Sequence, residues 1–210
     1  HQDRNSTLAS IPSGRRNIMI NGGFDVWQRA TSVNSGNFVD FIGGTSGSKY
    51  FAPDRWFLQY YGIGGFNPSF SVGQSSLHPT GRKKSLLISC TGADAPDVSQ
   101  TNFISLKYRL EGQDITEWCN DTNAKNAILS FWVRTNKPGT YTTSMRVENN
   151  TGTGTAQLIL LPWTVDYNEI DVWKKIVLHI PAYTYGDPNS YNNQGVSINW
   201  YLSSVINATK

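Results

Sequence analysis

A two-layered, all-β sandwich of about ten short antiparallel strands, with at most one or two helical turns, is the fold this chain predicts. Three observations lead there. From Asn17 onward the chain is a succession of short apolar or alternating runs separated by turn residues, and the helical period is almost absent. Charged residues make up only 16% of the chain, and its polarity comes from Ser, Thr, Asn and Gly, which favour turns and strand exteriors. Aromatic residues reach 12%, with seven Trp and ten Tyr, enough for a sandwich core plus rings left over for a partner.

Residues 1–16 (HQDRNSTLASIPSGRR) lack periodicity and carry Ser, Pro and Gly breakers, so they read as a linker or an assembly arm. One domain then fills 17–210. Strands are expected at 17–21, 24–28, 54–61, 69–73, 85–91, 101–110, 127–135, 140–148, 157–165, 172–180 and 196–203. The glycine-rich segment 31–50 is a loop long enough to wrap an edge or to serve a function. Asp114-Ile115-Thr116-Glu117 has capping-box spacing and leads into Trp118, which predicts one helical turn. Period-two alternation assigns faces in the middle strands. Ile104, Leu106, Tyr108 and Leu110 oppose Phe103, Ser105, Lys107 and Arg109; Leu129, Phe131 and Val133 oppose Ile128, Ser130, Trp132 and Arg134; Met145 and Val147 oppose Ser144, Arg146 and Glu148.

Ile18–Arg29 (IMINGGFDVWQR), Pro53–Trp56 (PDRW), Gln100–Glu111 (QTNFISLKYRLE) and Leu129–Val133 (LSFWV) carry a likeness that runs over roughly residues 17–180. In these motifs the chain resembles the jelly-roll domain of phage tail-fibre and related virion proteins, itself similar to carbohydrate-binding modules. The resemblance implies a jelly-roll connectivity, a place in the virion, attachment to host-surface glycan, contact with other virion proteins, and a homo-oligomer of three or more copies. It also implies a structural calcium near the first strand, for which Asp25 is the one carboxylate this sequence offers. Family members usually close with a Val-Gln-Leu-Glu-x-Gly segment, whereas this sequence ends Asn207-Ala-Thr-Lys210. The expectation is therefore that closing strands differ or come from another segment or subunit, and that a neighbour covers the edge. Because the sequence starts with His, it is expected to be a processed product or part of a longer protein.

Charge and cysteine content narrow the function classes. A formal net charge of +3, with Arg15-Arg16 and Arg82-Lys83-Lys84 as its basic clusters, gives no argument for nucleic acid. No apolar run approaches the roughly 18 residues of a membrane-spanning helix. Cys90 and Cys119 cannot form a disulfide framework, and both are expected as buried thiols. Four Asn-x-Ser/Thr sequons, at Asn5, Asn120, Asn149 and Asn207, are what chance provides in a chain so rich in Asn and Thr. His1, His78 and His179 are scattered, the acidic residues fall mostly in loops, and Gly62–Gly65 opens no helix, so an enzyme is not expected.

Sugars bind by stacking their C–H faces on flat rings and by hydrogen bonds from planar polar groups. On that chemistry the candidate glycan site is Trp132 with Arg109, Arg134 and Arg146, provided their strands share a sheet. The competing reading covers Trp132 with the 31–50 loop and pairs the arginines with acids. Tyr183, Tyr185 and Tyr191, around an Asp-Pro-Asn turn, form a second candidate, either an adaptable contact surface or a lid over the sandwich end. Trp27 and Trp56 are expected to be buried, with Asp54 and Arg55 as a supporting ion pair. The function expected is non-catalytic glycan attachment by a virion domain without cofactor, the alternative being a structural decoration or fibre-assembly protein.

Overall fold

A computed structural model of the chain describes residues 17–28, 32–35, 46–49, 53–61, 69–92, 102–115, 118, 125–147, 157–182 and 194–205. The expected arm at 1–16, Cys119, and Tyr183, Tyr185 and Tyr191 lie outside the described residues. Eleven strands are found among them: β1 (Ser32–Ser35), β2 (Ser46–Lys49), β3 (Trp56–Tyr61), β4 (Ser69–Ser75), β5 (Ser85–Gly92), β6 (Asn102–Glu111), β7 (Ala127–Val133), β8 (Gly139–Val147), β9 (Gln157–Val165), β10 (Lys174–Ile180) and β11 (Gln194–Val205). β1 and β2 fall within the segment expected to be loop.

One layer is a six-stranded sheet in the order β2-β3-β6-β11-β8-β9. The other is made of two pieces, the three-stranded β1-β4-β5 and the pair β10-β7. All pairings are antiparallel. Both pieces cover the same face of the large sheet, so the all-β sandwich expected from the sequence is what forms. The chain changes layer after β1, β3, β5, β6, β7, β9 and β10, and β6 lies beside β11. Strands far apart in sequence thus become neighbours in the large sheet.

Alternation builds the core. Tyr108, Leu110, Met145, Val147, Val196, Ile198 and Trp200 point inward from the large sheet and meet Leu129, Ile176, Leu178 and Ile180 of the β10-β7 pair. A second cluster joins Leu58 and Ile104 to Phe70 and Val72 of β4, with Trp27, Leu86 and Ile88 packed against it. Rings interlock at the centre: Trp56 lies 4.9 Å from Phe24, 4.9 Å from Tyr108 and 5.4 Å from Trp200, centroid to centroid. Trp56 is thus buried as expected, and Trp27 is half-buried with its indole N–H donated to the Phe24 carbonyl at 2.6 Å.

Residues 17–21 and 24–28, expected as strands, instead form an irregular turn. Asn21 and Phe24 have φ of 56° and 57°, which ends any extended run; Asn is among the few residues with a side chain that visit this region readily. The Asn21 carboxamide then replaces a ladder partner. Its Nδ2 donates to the carbonyls of Val26 (2.9 Å) and Asp54 (3.1 Å), and its Oδ1 accepts the Val26 N–H at 3.0 Å. The Asn21 carbonyl accepts the Trp56 indole N–H at 3.1 Å. The turn also reaches the core through Tyr108, whose hydroxyl accepts the Ile20 N–H at 2.8 Å. Burial pushes the Tyr108 phenol above its usual 10.0, partly offset by that amide, so it stays neutral. The most distinctive motif in the sequence is therefore a structural clasp.

Other local expectations are corrected as well. Arg55 stands 3.5 Å from Glu111, not paired with Asp54, because a φ of 75° at Arg55 turns it outward. A 3-10 turn occupies Gly112–Asp114, whereas Thr116 and Glu117 of the expected capping box lie outside the described residues. Trp118 is buried, its backbone N–H donated to the Ile115 carbonyl at 2.9 Å and its indole N–H to the Pro181 carbonyl at 2.9 Å. A capping box does form at Asp166 and Glu169, around the 3-10 turn Tyr167–Glu169. Cys90, expected to be buried, is an exposed free thiol on β5, the outer strand of the β1-β4-β5 piece among the described residues.

Gly195 shows why one position in β11 has no side chain. A Cβ there would sit 2.6 Å from the Gly112 Cα and 2.8 Å from the Ile115 Cδ1, so the Gly112–Asp114 turn can press onto β11 only over glycine.

Two substitutions check this arrangement. Asn21→Ala removes three hydrogen bonds and a residue suited to positive φ, and is expected to lower unfolding stability by about 1–3 kcal/mol in urea titration, with the slope unchanged. Gly195→Ala overpacks the turn and is expected to cost about 1–3 kcal/mol in the same titration.

Candidate functional site

The sandwich has two outward sheet faces, and the sequence-predicted residues divide between them. Trp132 projects from β7 in the β10-β7 layer and Arg134 follows just past that strand, while Arg109 and Arg146 project from β6 and β8 on the far side of the large sheet. The expected grouping of Trp132 with all three arginines is therefore corrected. Alternation had placed each side chain outward, and correctly so, but the strands belong to layers that stack roughly 10 Å apart with the core between them.

On the β10-β7 face, Trp132 is 39% exposed and lies opposite Lys175 in the ladder. Val177 faces Ser130, and His179 faces Ile128. Arg134, two residues further along the chain, is held in place by Asp171: its Nε donates to the Asp171 carbonyl at 2.7 Å, and its terminal nitrogen lies 3.2 Å from the Asp171 carboxylate. Asp171 is itself fixed by a φ of 59° and by its N–H, which donates to the Thr135 carbonyl at 2.9 Å. The turn before it is clasped by Glu169, which accepts the Lys174 ammonium at 2.6 Å and the Asp166 N–H at 2.9 Å. Those two donors, the amide first, hold the Glu169 carboxyl below its usual 4.5. The result is a flat, partly open ring and, two residues along the chain, a guanidinium oriented by Asp171.

The opposite face belongs to β3, β6, β11, β8 and β9. Across it, Arg109, Ser197, Arg146 and Leu158 stand in one row. Phe57, Lys107, Asn199, Ser144 and Leu160 form the next row; Gln59, Ser105, Tyr201, Thr142 and Pro162 form a third. Sequence reasoning named the arginines but missed the floor between them. Ser105, Ser144 and Ser197 are fully buried and Asn199 is nearly so, although all four point away from the core. The Asn199 Nδ2 donates to the Ser144 hydroxyl at 3.2 Å. The hydroxyls of Ser105 and Ser197 and the Oδ1 of Asn199 have no hydrogen-bond partner. Leaving such a group unmet costs about 1–3 kcal/mol, so the row is held at a local disadvantage. The signal was present in 196–201, where Val196, Ile198 and Trp200 alternate with Ser197, Asn199 and Tyr201.

Aromatic side chains frame this floor. The Arg109 guanidinium carbon lies 4.8 Å over the Phe57 ring centroid, a cation–π contact. Phe103 and Tyr201 meet edge to face at 5.4 Å.

Asp25, the calcium candidate, is exposed, and among the described residues no three His, Cys, Asp or Glu side chains come together. The Asn21 and Phe24 carbonyls of the same turn each already accept two N–H donors. A calcium ion wants six to eight oxygens, and the described residues do not supply that set. Among the described residues, no helix is long and apolar enough to cross a membrane. Comparison with protein-family models, with curated proteins and with solved structures finds no match to this chain.

The clasp beside Trp132 has a pH signature. Because the folded-state pKa of Glu169 is depressed, its contribution is present above the unfolded value of 4.5 and is lost as pH falls through the lower, folded value. Urea midpoints at about pH 6 and about pH 3 are expected to fall more in the parent protein than in Glu169→Gln.

Proposed function

We propose that this chain is a non-catalytic attachment domain of a phage tail fibre or related virion appendage, and that its ligand is host-surface glycan. The observation that carries the reading is the half-open Trp132 ring and, two residues along the chain, an Arg134 whose direction is set by Asp171. An indole offers a flat apolar surface to the C–H face of a pyranose, and a fixed guanidinium fork offers two parallel donors to neighbouring hydroxyls. Lys175 and Ser130 flank the ring and extend the polar rim. The motif resemblance described above supplies the virion context. Such a shallow site binds one sugar weakly, and several copies on one particle, three or more in a fibre, raise the avidity through effective concentration.

A second reading, a structural decoration or fibre-assembly domain, is favoured by what adjoins the ring. Ile128 is 65% exposed and Val177 is 47% exposed on the same face, an apolar surface suited to another virion protein.

Glycan-array binding by the intact chain decides between them. Trp132→Ala is expected to weaken the signal about tenfold or more with the thermal midpoint unchanged. No signal from any glycan, together with a protein interface burying Ile128, Trp132 and Val177 in the assembled particle, would favour the structural reading.

A further inference from the structure

We infer that the outer face of the six-stranded sheet is a second binding site, separate from Trp132, that takes an acidic sugar, with its carboxylate at Arg109 and Ser197. The juxtaposition that carries it is the register Arg109–Ser197–Arg146 beside Lys107–Asn199–Ser144. Both rows set a cationic residue beside small polar residues on one face.

The floor specifies the ligand more closely than the cations do. The Ser197 hydroxyl stands between two arginine positions and is unpartnered, so it can donate to an anionic oxygen. The Asn199 Oδ1, one step along β11 on the same face, is also unpartnered, and it can only accept. A bare anion, which brings acceptors alone, satisfies the first group and not the second. A uronic-acid-type sugar satisfies both, with its carboxylate on Arg109 and Ser197 and a ring hydroxyl donating to Asn199. The unpartnered Ser105 hydroxyl in the next row, beside Tyr201, extends the site by a further polar contact.

Arg109 supplies an exposed cation already oriented by its position over Phe57. The acid nearest this row on β6, Glu111, lies at the end of the strand beside Arg55. Small groups on the floor are closed off in the free protein, so a ligand reaches them only as that enclosure opens. Entry then exchanges unmet polar groups for hydrogen bonds.

The test uses the full chain, a short oligogalacturonate, and the same oligosaccharide after reduction of its carboxyl groups, titrated by calorimetry. The acidic form is expected to bind at least about tenfold more tightly than the reduced form, and to weaken as salt rises. Arg109→Gln and Ser197→Val are each expected to lower that affinity about tenfold or more. Arg82→Gln, which removes an exposed charge elsewhere, and Trp132→Ala are expected to leave it unchanged. If Ser197→Val lowers the thermal midpoint, Arg109→Gln and the comparison of the two sugars decide the matter. Equal affinity for both sugars, no binding of the acidic one, or equal losses in Arg82→Gln and Arg109→Gln would overturn the inference. Loss in Trp132→Ala alone would assign the binding to the other face. Acidic binding without any Trp132-dependent glycan signal would sink the attachment site at Trp132 and leave this one standing.

Discussion

Trp56 is the point on which the rest of this fold depends. A buried indole brings a large apolar surface and one N–H that must be met, and here both demands are satisfied by different parts of the chain. Its ring lies against Phe24, Tyr108 and Trp200, while its N–H is taken by the Asn21 carbonyl. The turn at 20–26 is consequently part of the core and no mere approach to it. Tyr108 repeats the logic one strand over, with its hydroxyl serving the Ile20 amide. Once these two aromatic side chains are fixed, β3 and β6 are in register and the inner face of the large sheet is set.

The layered architecture was legible in the sequence because alternation is a local property. Leu129 and Phe131 inward with Ile128 and Trp132 outward, and Met145 and Val147 inward with Arg146 outward, follow directly from the pleat. Which sheet a strand joins is not local. Nothing within 127–133 says that it pairs with 174–180 instead of with β6 or β8, and the proposed union of Trp132 with Arg109 and Arg146 came apart on that point. The clasp at Asn21 was hidden for a different reason. Ile18–Ile20 and Phe24–Trp27 carry strand-like side chains, but two left-handed residues and a side-chain amide dictate the path. Ser197 and Asn199 were passed over because small polar residues on an outward face ordinarily mean solvent, whereas here they are enclosed.

The two outer faces differ in chemical character. The β10-β7 surface is narrow and mixed, with Ile128, Trp132 and Val177 open and, just past β7, an arginine already committed to Asp171. The large sheet presents a broader polar floor, bounded by cations on β6 and β8 and by Leu158 and Leu160 on the edge strand β9. A ring fixed in place suits selection by shape. Unmet donors and acceptors beneath charged groups suit selection by chemistry. A sandwich keeps the two apart because its core lies between its outer faces.

β11 occupies the middle of the large sheet, flanked by β6 and β8, although it is the last of the described strands. Until residues 194–205 have left the ribosome, β6 and β8 face a gap where their shared neighbour belongs, and each shows an unpaired edge. The gap can close only once the chain between β8 and β11 has been made. Pairing β6 with so distant a strand raises the contact order and slows folding. Wrong pairings compete most strongly in the interval before β11 arrives.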